Sequence, residues 1–323
     1  MKIIILILLF DFFYAHKIDN VPITLVQPDQ SNINCFASGD QYYKWVHDIN
    51  GYSIIQNEND GYYYYAIKEN GRIVPSEYVV GRINPEIVGL DKNVIIDRQV
   101  YLDKRNRYWQ NIERRDAPSI GTINNINVFI RFSDEIEFPN SRTFYDIPFN
   151  EHDGPSLNHY FKEVSYDLLT VNTTHFPICE PDVNISYQDE HPRSYYQPYN
   201  EITNPNGYQN DSQSRIREHD LLRNAIQYIA SEVPEDLDVD ANNDGYVDNV
   251  TFLVRGSPGA WASLLWPHRW VLYTHSVYLN GARVYDYNLN MEQGGYFTVG
   301  TLSHEFFHSL GAPDLYHYWD DVA

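Results

Sequence analysis

The stretch HEFFHSLGAPD places His304, Glu305, His308 and Asp314 in the spacing H-E-x-x-H-x-x-G-x-x-D. Residues four apart share one face of an α-helix. His304 and His308 can therefore present two imidazoles to one Zn²⁺, an ion that takes nitrogen and carboxylate ligands in tetrahedral sites. Glu305 points aside, where a general base for a metal-bound water is wanted. Gly311 can adopt a positive φ and turn the chain back. Asp314 then reaches the metal as a third ligand, and a fourth position stays open for water or a peptide carbonyl. The bare H-E-x-x-H pattern also occurs in ordinary amphipathic helices with core or surface histidines. The added glycine and aspartate make the pattern far more specific.

A second cluster, DANNDGYVD, sets Asp240, Asn242, Asp244, Gly245 and Asp248 at positions 1, 3, 5, 6 and 9 of a calcium-loop template, with the carbonyl of Tyr246 as a further ligand. Thr251 stands where a bidentate glutamate belongs, so this is not an EF-hand. Two readings stay open: a Ca²⁺ site that pins the loop, or an Asx-rich turn leading into a strand.

These groups need elements to hold them. GTLSHEFFHSLG reads as a helix stopped by Gly311 and Pro313, and SQSRIREHDLLRNAIQYIASEV as a helix with Leu221, Leu222, Ala225, Ile226 and Ile229 on one face. INVFIRF and DNVTFLV are short apolar runs of the kind that make buried strands, while SLNHYFKEVSYDLLTV begins helical and ends β-prone. Residues 21–67 alternate strand-like runs with Gly39-Asp40, Asn50-Gly51 and Asp60-Gly61, which predicts β-hairpins. The following segment, 90–118, is more charged and helical or extended; it closes with Arg114-Arg115 and Pro118, a candidate boundary and processing site.

At 323 residues the chain is long enough for one large domain or two ordinary ones. Its 28 tyrosines suit β structure with many half-buried positions. A net charge of −21 argues against a nucleic-acid partner, since phosphate would be repelled, and otherwise reads as a solvated acidic surface. Lys2 and the apolar run from Ile3 to Phe10 have the size of a signal-peptide core and are too short to span a bilayer; a buried first strand is the alternative. Secretion without stable membrane insertion, as a monomer, is the expectation. Sequons occur at Asn172, Asn184, Asn210 and Asn249. Of the two cysteines, Cys35 can pair with Cys179, stay as a buried inert thiol, or act as a thiolate ligand to zinc.

Together these motifs resemble the M6 metallopeptidases, the immune inhibitor A-like family of the metzincin clan. HEFFHSLGAPDLY is similar to the family's zinc signature, NNDGYVDNVTFLV to its acidic loop and strand, and LLWPHRW (264–270) to a further family block. INVFIRFSD resembles the opening strand of the peptidase domain, and residues 26–56 its propeptide region. The resemblance implies an α+β fold: a metzincin-like zinc peptidase domain, with a twisted mixed sheet and backing and active-site helices, preceded by a β-rich propeptide. It implies a signal peptide (1–15), a propeptide (16–115) and a catalytic domain (116–323). It also implies a secreted zymogen of a zinc endopeptidase acting on proteins or peptides, with His304, His308 and Asp314 on zinc, Glu305 as base, and Cys35 as a candidate zymogen thiolate. His268 reads as a structural histidine between two tryptophans. Such a domain continues past its zinc helix to a methionine turn, yet Met1 and Met291 both precede the helix, so a truncated carboxyl-terminal part is expected. The rival readings are a catalytically inactive secreted binding protein on the same fold and a zinc hydrolase acting on something other than peptides.

Overall fold

The computed structural model describes residues 18–40, 42–109, 116–257, 266–293 and 295–312. The proposed signal peptide, Arg114-Arg115 and Asp314 lie outside them.

Six strands come first: β1 (Ile18–Val26), β2 (Asn32–Gly39), β3 (Lys44–His47), β4 (Ser53–Gln56), β5 (Tyr63–Glu69) and β6 (Arg72–Val79). Each pairs antiparallel with its sequence neighbour, so the sheet order is the chain order. The expected Asx-Gly punctuation falls in its connections. Gly51 and Gly61 sit at φ +86° and +72°, which L side chains rarely adopt. One face buries Leu25, Ile33, Cys35, Tyr52, Ile54, Tyr65 and Val80 together. The charged stretch that follows forms α1 (Arg98–Trp109).

The second body is built from β7 (Gly121–Arg131), α2 (Arg142–Asn150), α3 (Leu157–Val164), β8 (Leu169–Phe176), β9 (Tyr187–Gln188), α4 (Asp211–Ile229), β10 (Val250–Val254), β11 (His268–Val271), β12 (Val277–Leu279), β13 (Ala282–Val284), β14 (Asp286–Met291) and α5 (Val299–Ser309). Its main sheet runs β11-β14-β10-β7-β8, parallel except for β11 at the edge. The fold is thus mixed α+β, with a mixed sheet as expected.

β8 lies on one side of β7, and β10 and β14 on the other. Crossovers of one hand that step in opposite directions place their helices on opposite faces. α4 accordingly buries Leu221, Leu222, Ala225, Ile226 and Ile229 against Ile126, Val128, Ile130, Val250, Phe252, Val254, Tyr287 and Leu289. All five predicted helix residues face that core. On the other face α3 and α5 share a core of Phe149, Leu157, Phe161, Leu169, Val171, Leu302 and Phe306. Each fully buried aromatic there contributes about 1.5–3 kcal/mol by leaving water.

The two bodies meet where Ala37 and Trp266 pack with Val21, Ile23, Val46 and Tyr296. The Lys44 ammonium lies 5.0 Å from the centre of the Trp266 ring. Burial holds that ammonium down to about 8, against the pull of Asp40 and Glu218. Two sequon asparagines, Asn184 and Asn249, are buried, the first accepting from Arg142 Nε at 2.6 Å. No described helix is long and apolar enough to cross a membrane.

Candidate metal centre

α5 is capped by Thr298, whose side chain accepts from the Thr301 N–H, and the chain leaves it through Gly311, in the left-handed region at φ +89°. Leu302 and Phe306 point into the core, and the Phe306 and Phe307 rings lie 5.1 and 4.9 Å from that of Phe161. This anchoring leaves His304 and His308 half-buried on the opposite flank, while Glu305 is fully buried.

The two imidazoles converge. Their Nε2 atoms are 3.1 Å apart and the rings stand nearly perpendicular, at 87°. Two nitrogens on a tetrahedral zinc at about 2.0–2.1 Å would be separated by about 3.3 Å, so the pair fits that ion with little movement. His308 Nδ1 lies 2.8 Å from the Ala312 carbonyl. A carbonyl only accepts, so Nδ1 carries the proton and Nε2 turns its lone pair toward His304 Nε2. Asp314 lies outside the described residues. Among the described residues, no group of three or more His, Cys, Asp or Glu side chains is placed to hold a metal ion.

The end of the helix is braced by the segment that follows the dibasic pair. The Ala117 N–H donates to the Ser309 carbonyl at 2.8 Å. A Cβ added at Gly311 would meet the Asp116 carboxylate at 2.7 Å. Both φ and space therefore call for glycine here.

Beneath the helix the sheet is polar. Along β7, β10 and β14 the residues facing α4 are apolar, whereas the alternate positions carry Asn125, Asn249, Thr251 and Asn288. Asn288 Nδ2 donates to the Glu305 carbonyl at 3.0 Å and reaches Ser309 Oγ at 3.3 Å. Ser309 Oγ donates to Asn249 Oδ1 at 2.8 Å, and Asn249 Nδ2 donates to Asn125 Oδ1 at 2.7 Å. Thr251 Oγ1 also donates to Asn125 Oδ1, and Asn125 Nδ2 donates to Thr173 Oγ1, both at 3.1 Å. Reading these strands as plain apolar runs misses the chain of amides. Its signal was the alternation of asparagine at 125 and 127 and again at 288 and 290.

His268 faces the other way. It pairs with Leu289 across the sheet on the α4 side, and both ring nitrogens are engaged: Nδ1 with the Trp266 carbonyl at 2.6 Å and Nε2 with Glu218 at 2.8 Å. Burial alone would lower its pKa, but Glu218 overrides this and raises it, with a lesser contribution from Glu305. Glu218 is held low despite its own burial by His268 and by the Tyr287 hydroxyl that donates to it. His268 thus ties α4 to the edge strand.

The acidic loop closes on itself. Asp240 accepts from the Asp244 and Gly245 N–H groups at 3.0 and 2.8 Å, and Asn242 accepts from Asp244 at 3.1 Å. Asp244 accepts from Tyr246 at 2.9 Å, and Asp248 from Ala241 at 3.0 Å. The Asn242 and Asp244 bonds reach two residues on and are Asx turns, while those of Asp240 and Asp248 tie the two ends of the loop inward. The Val247 N–H donates to the Arg283 carbonyl and so stitches the loop to β13.

Cys35 and Cys179 are both free thiols. Cys35 Sγ donates toward the Ile23 and Ile33 carbonyls at 3.7 Å inside the first sheet's core, a cluster that holds no residue of α5. Burial pushes this thiol up to about 11, which disfavours the thiolate. No protein-family model matches the chain, and no curated protein matches it.

Proposed function

We propose that the protein is the secreted precursor of a zinc-dependent endopeptidase with a metzincin-like catalytic domain, akin to the M6 metallopeptidases. In this reading residues 1–15 are a signal peptide, 16–115 a propeptide and 116–323 the catalytic domain. The observation that carries it is the convergence of the His304 and His308 Nε2 atoms to 3.1 Å, with His308 held by Ala312 in the tautomer that a metal needs. Asp314 is proposed as the third ligand.

Zinc, when bound, polarises a scissile carbonyl and brings a coordinated water toward a pKa of ~7. Glu305 takes the proton of the attacking water and delivers it to the leaving amine as the peptide C–N bond breaks. His304 and His308 serve as neutral donors and move no proton in that step. The self-bonded acidic loop supports a structural role for residues 240–248, with Ca²⁺ as its candidate ligand.

The test uses protein expressed from its complete gene. One zinc per chain, casein cleavage abolished by chelation, and a loss of about 10²-fold or more in Glu305→Gln with zinc retained are expected. Bound metal without Glu305-dependent cleavage would instead leave the reading of an inactive binding protein.

A further inference from the structure

We propose that Asn288 and Ser309 are positioning residues for the proposed peptide hydrolysis, and that with Asn249 they set the seat of the metal helix on the sheet; this rests on the zinc peptidase reading. The carbonyl of Glu305 has two lone pairs. Inside a helix one is taken by the N–H four residues on, and Asn288 Nδ2 at 3.0 Å approaches the same oxygen from the sheet. Its bond falls at the residue that carries the proposed base. The same amide reaches Ser309 Oγ, one residue beyond His308, so the contact spans both ends of the HExxH motif.

From Ser309 the bonds continue through Asn249 and Asn125 to Thr173, crossing β14, β10, β7 and β8. All these side chains are at most 7% exposed. Burying polar groups is costly, and once paired they return little net stability. Elsewhere on this face Ile123, Leu169 and Val171 pack against Phe149 of α2 and Leu157 and Phe161 of α3, and Asn150 and Asn158 add amide bonds from those helices to β8. Apolar contacts are non-directional, so a helix held by them alone can slide or roll by a fraction of an ångström. Hydrogen bonds weaken steeply with angle and therefore fix height and rotation together. What the amides add is placement of His304, Glu305 and His308 relative to the sheet beneath them.

Asn288→Leu removes both bonds to the helix while filling the same space. In zinc-loaded protein it is expected to lower kcat by about 10–100-fold, because misplacement near 1 Å costs that much. KM should stay within about twofold and zinc at one per chain. A kcat unchanged within twofold per zinc, with only the melting temperature altered, would overturn the proposal. Should Asn288→Leu fail to fold, Ser309→Ala breaks the same link with a smaller change and is judged by the same split of kcat from KM. Wild-type protein that takes up no zinc, or cleaves equally well as Glu305→Gln, sinks the enzymatic reading and this proposal with it. An active wild type with both sheet-side variants fully active sinks the proposal alone.

Discussion

Asp248 shows what one carboxylate costs in this fold. It is 5% exposed, and burial first, then Asp240, Asp238 and Asp244, push its carboxyl up to about 6. A carboxyl raised above its unfolded value of 3.8 destabilises the folded state once ionised. That cost is absent below pH ~4, grows up to pH ~6 and is complete above it. Asp248→Asn keeps an oxygen for the Ala241 N–H and sheds the charge. Melting in chelator at pH 7.5 should rise by about 2–5 °C in this variant, and the gain should vanish near pH 4. A fall at pH 7.5 would contradict the cost assigned to this carboxylate. Calcium should raise the wild-type melting temperature and leave the variant unmoved if residues 240–248 hold the ion; equal shifts, or none, argue for the plain Asx turn.

At the scale of the element, α5 is the best-specified segment of the chain. Its histidine spacing and terminating glycine are local signals that were legible in the sequence, while the Thr298 cap was not part of that reading. Gly311→Ala would meet both a left-handed φ and the Asp116 carboxylate. The backbone term alone costs about 1 kcal/mol, and zinc affinity, read by competition with a chromophoric chelator, should fall about tenfold or more. Adding Asp116→Ala should recover part of that loss, whereas identical losses in the single and double variants would show that the contact is idle. The hairpins of β2–β5 and the apolar face of α4 were equally legible, since turn residues and periodicity report on neighbours a few positions away. The amides of β7, β10 and β14 were not. Asparagine in a short run reads as a breaker, and the partner of Asn125 is Asn249, 124 residues on. The Glu218–His268 pair is likewise separated by 50 residues, so neither sequence neighbourhood announces it.

At the scale of the whole molecule, the two larger sheets meet at Trp266. Trp266 is 3% exposed, packs on Ala37, carries Lys44 on its face and meets the Tyr296 ring edge-on at 4.8 Å. Trp266→Ala is expected to remove about 3–5 kcal/mol, most of it from this junction. Calorimetry should then resolve two transitions where the wild type gives one, and limited proteolysis should separate the sheets. A single transition shifted to lower temperature would mean that other contacts carry the coupling.

The connectivity of those two sheets also sets an order of assembly during synthesis. The meander β1–β6 pairs only sequence neighbours, so it can close soon after it leaves the ribosome. The seat of α5 draws on Thr173, Asn125, Asn249 and Asn288, and its far strands are more than a hundred residues apart. Nascent chains therefore carry a folded amino-terminal sheet for many seconds before the face with His304 and His308 exists. The convergence of the His304 and His308 imidazoles arises only once the rest of the body has formed around them, so an unfinished chain lacks the arrangement on which the proposed activity rests.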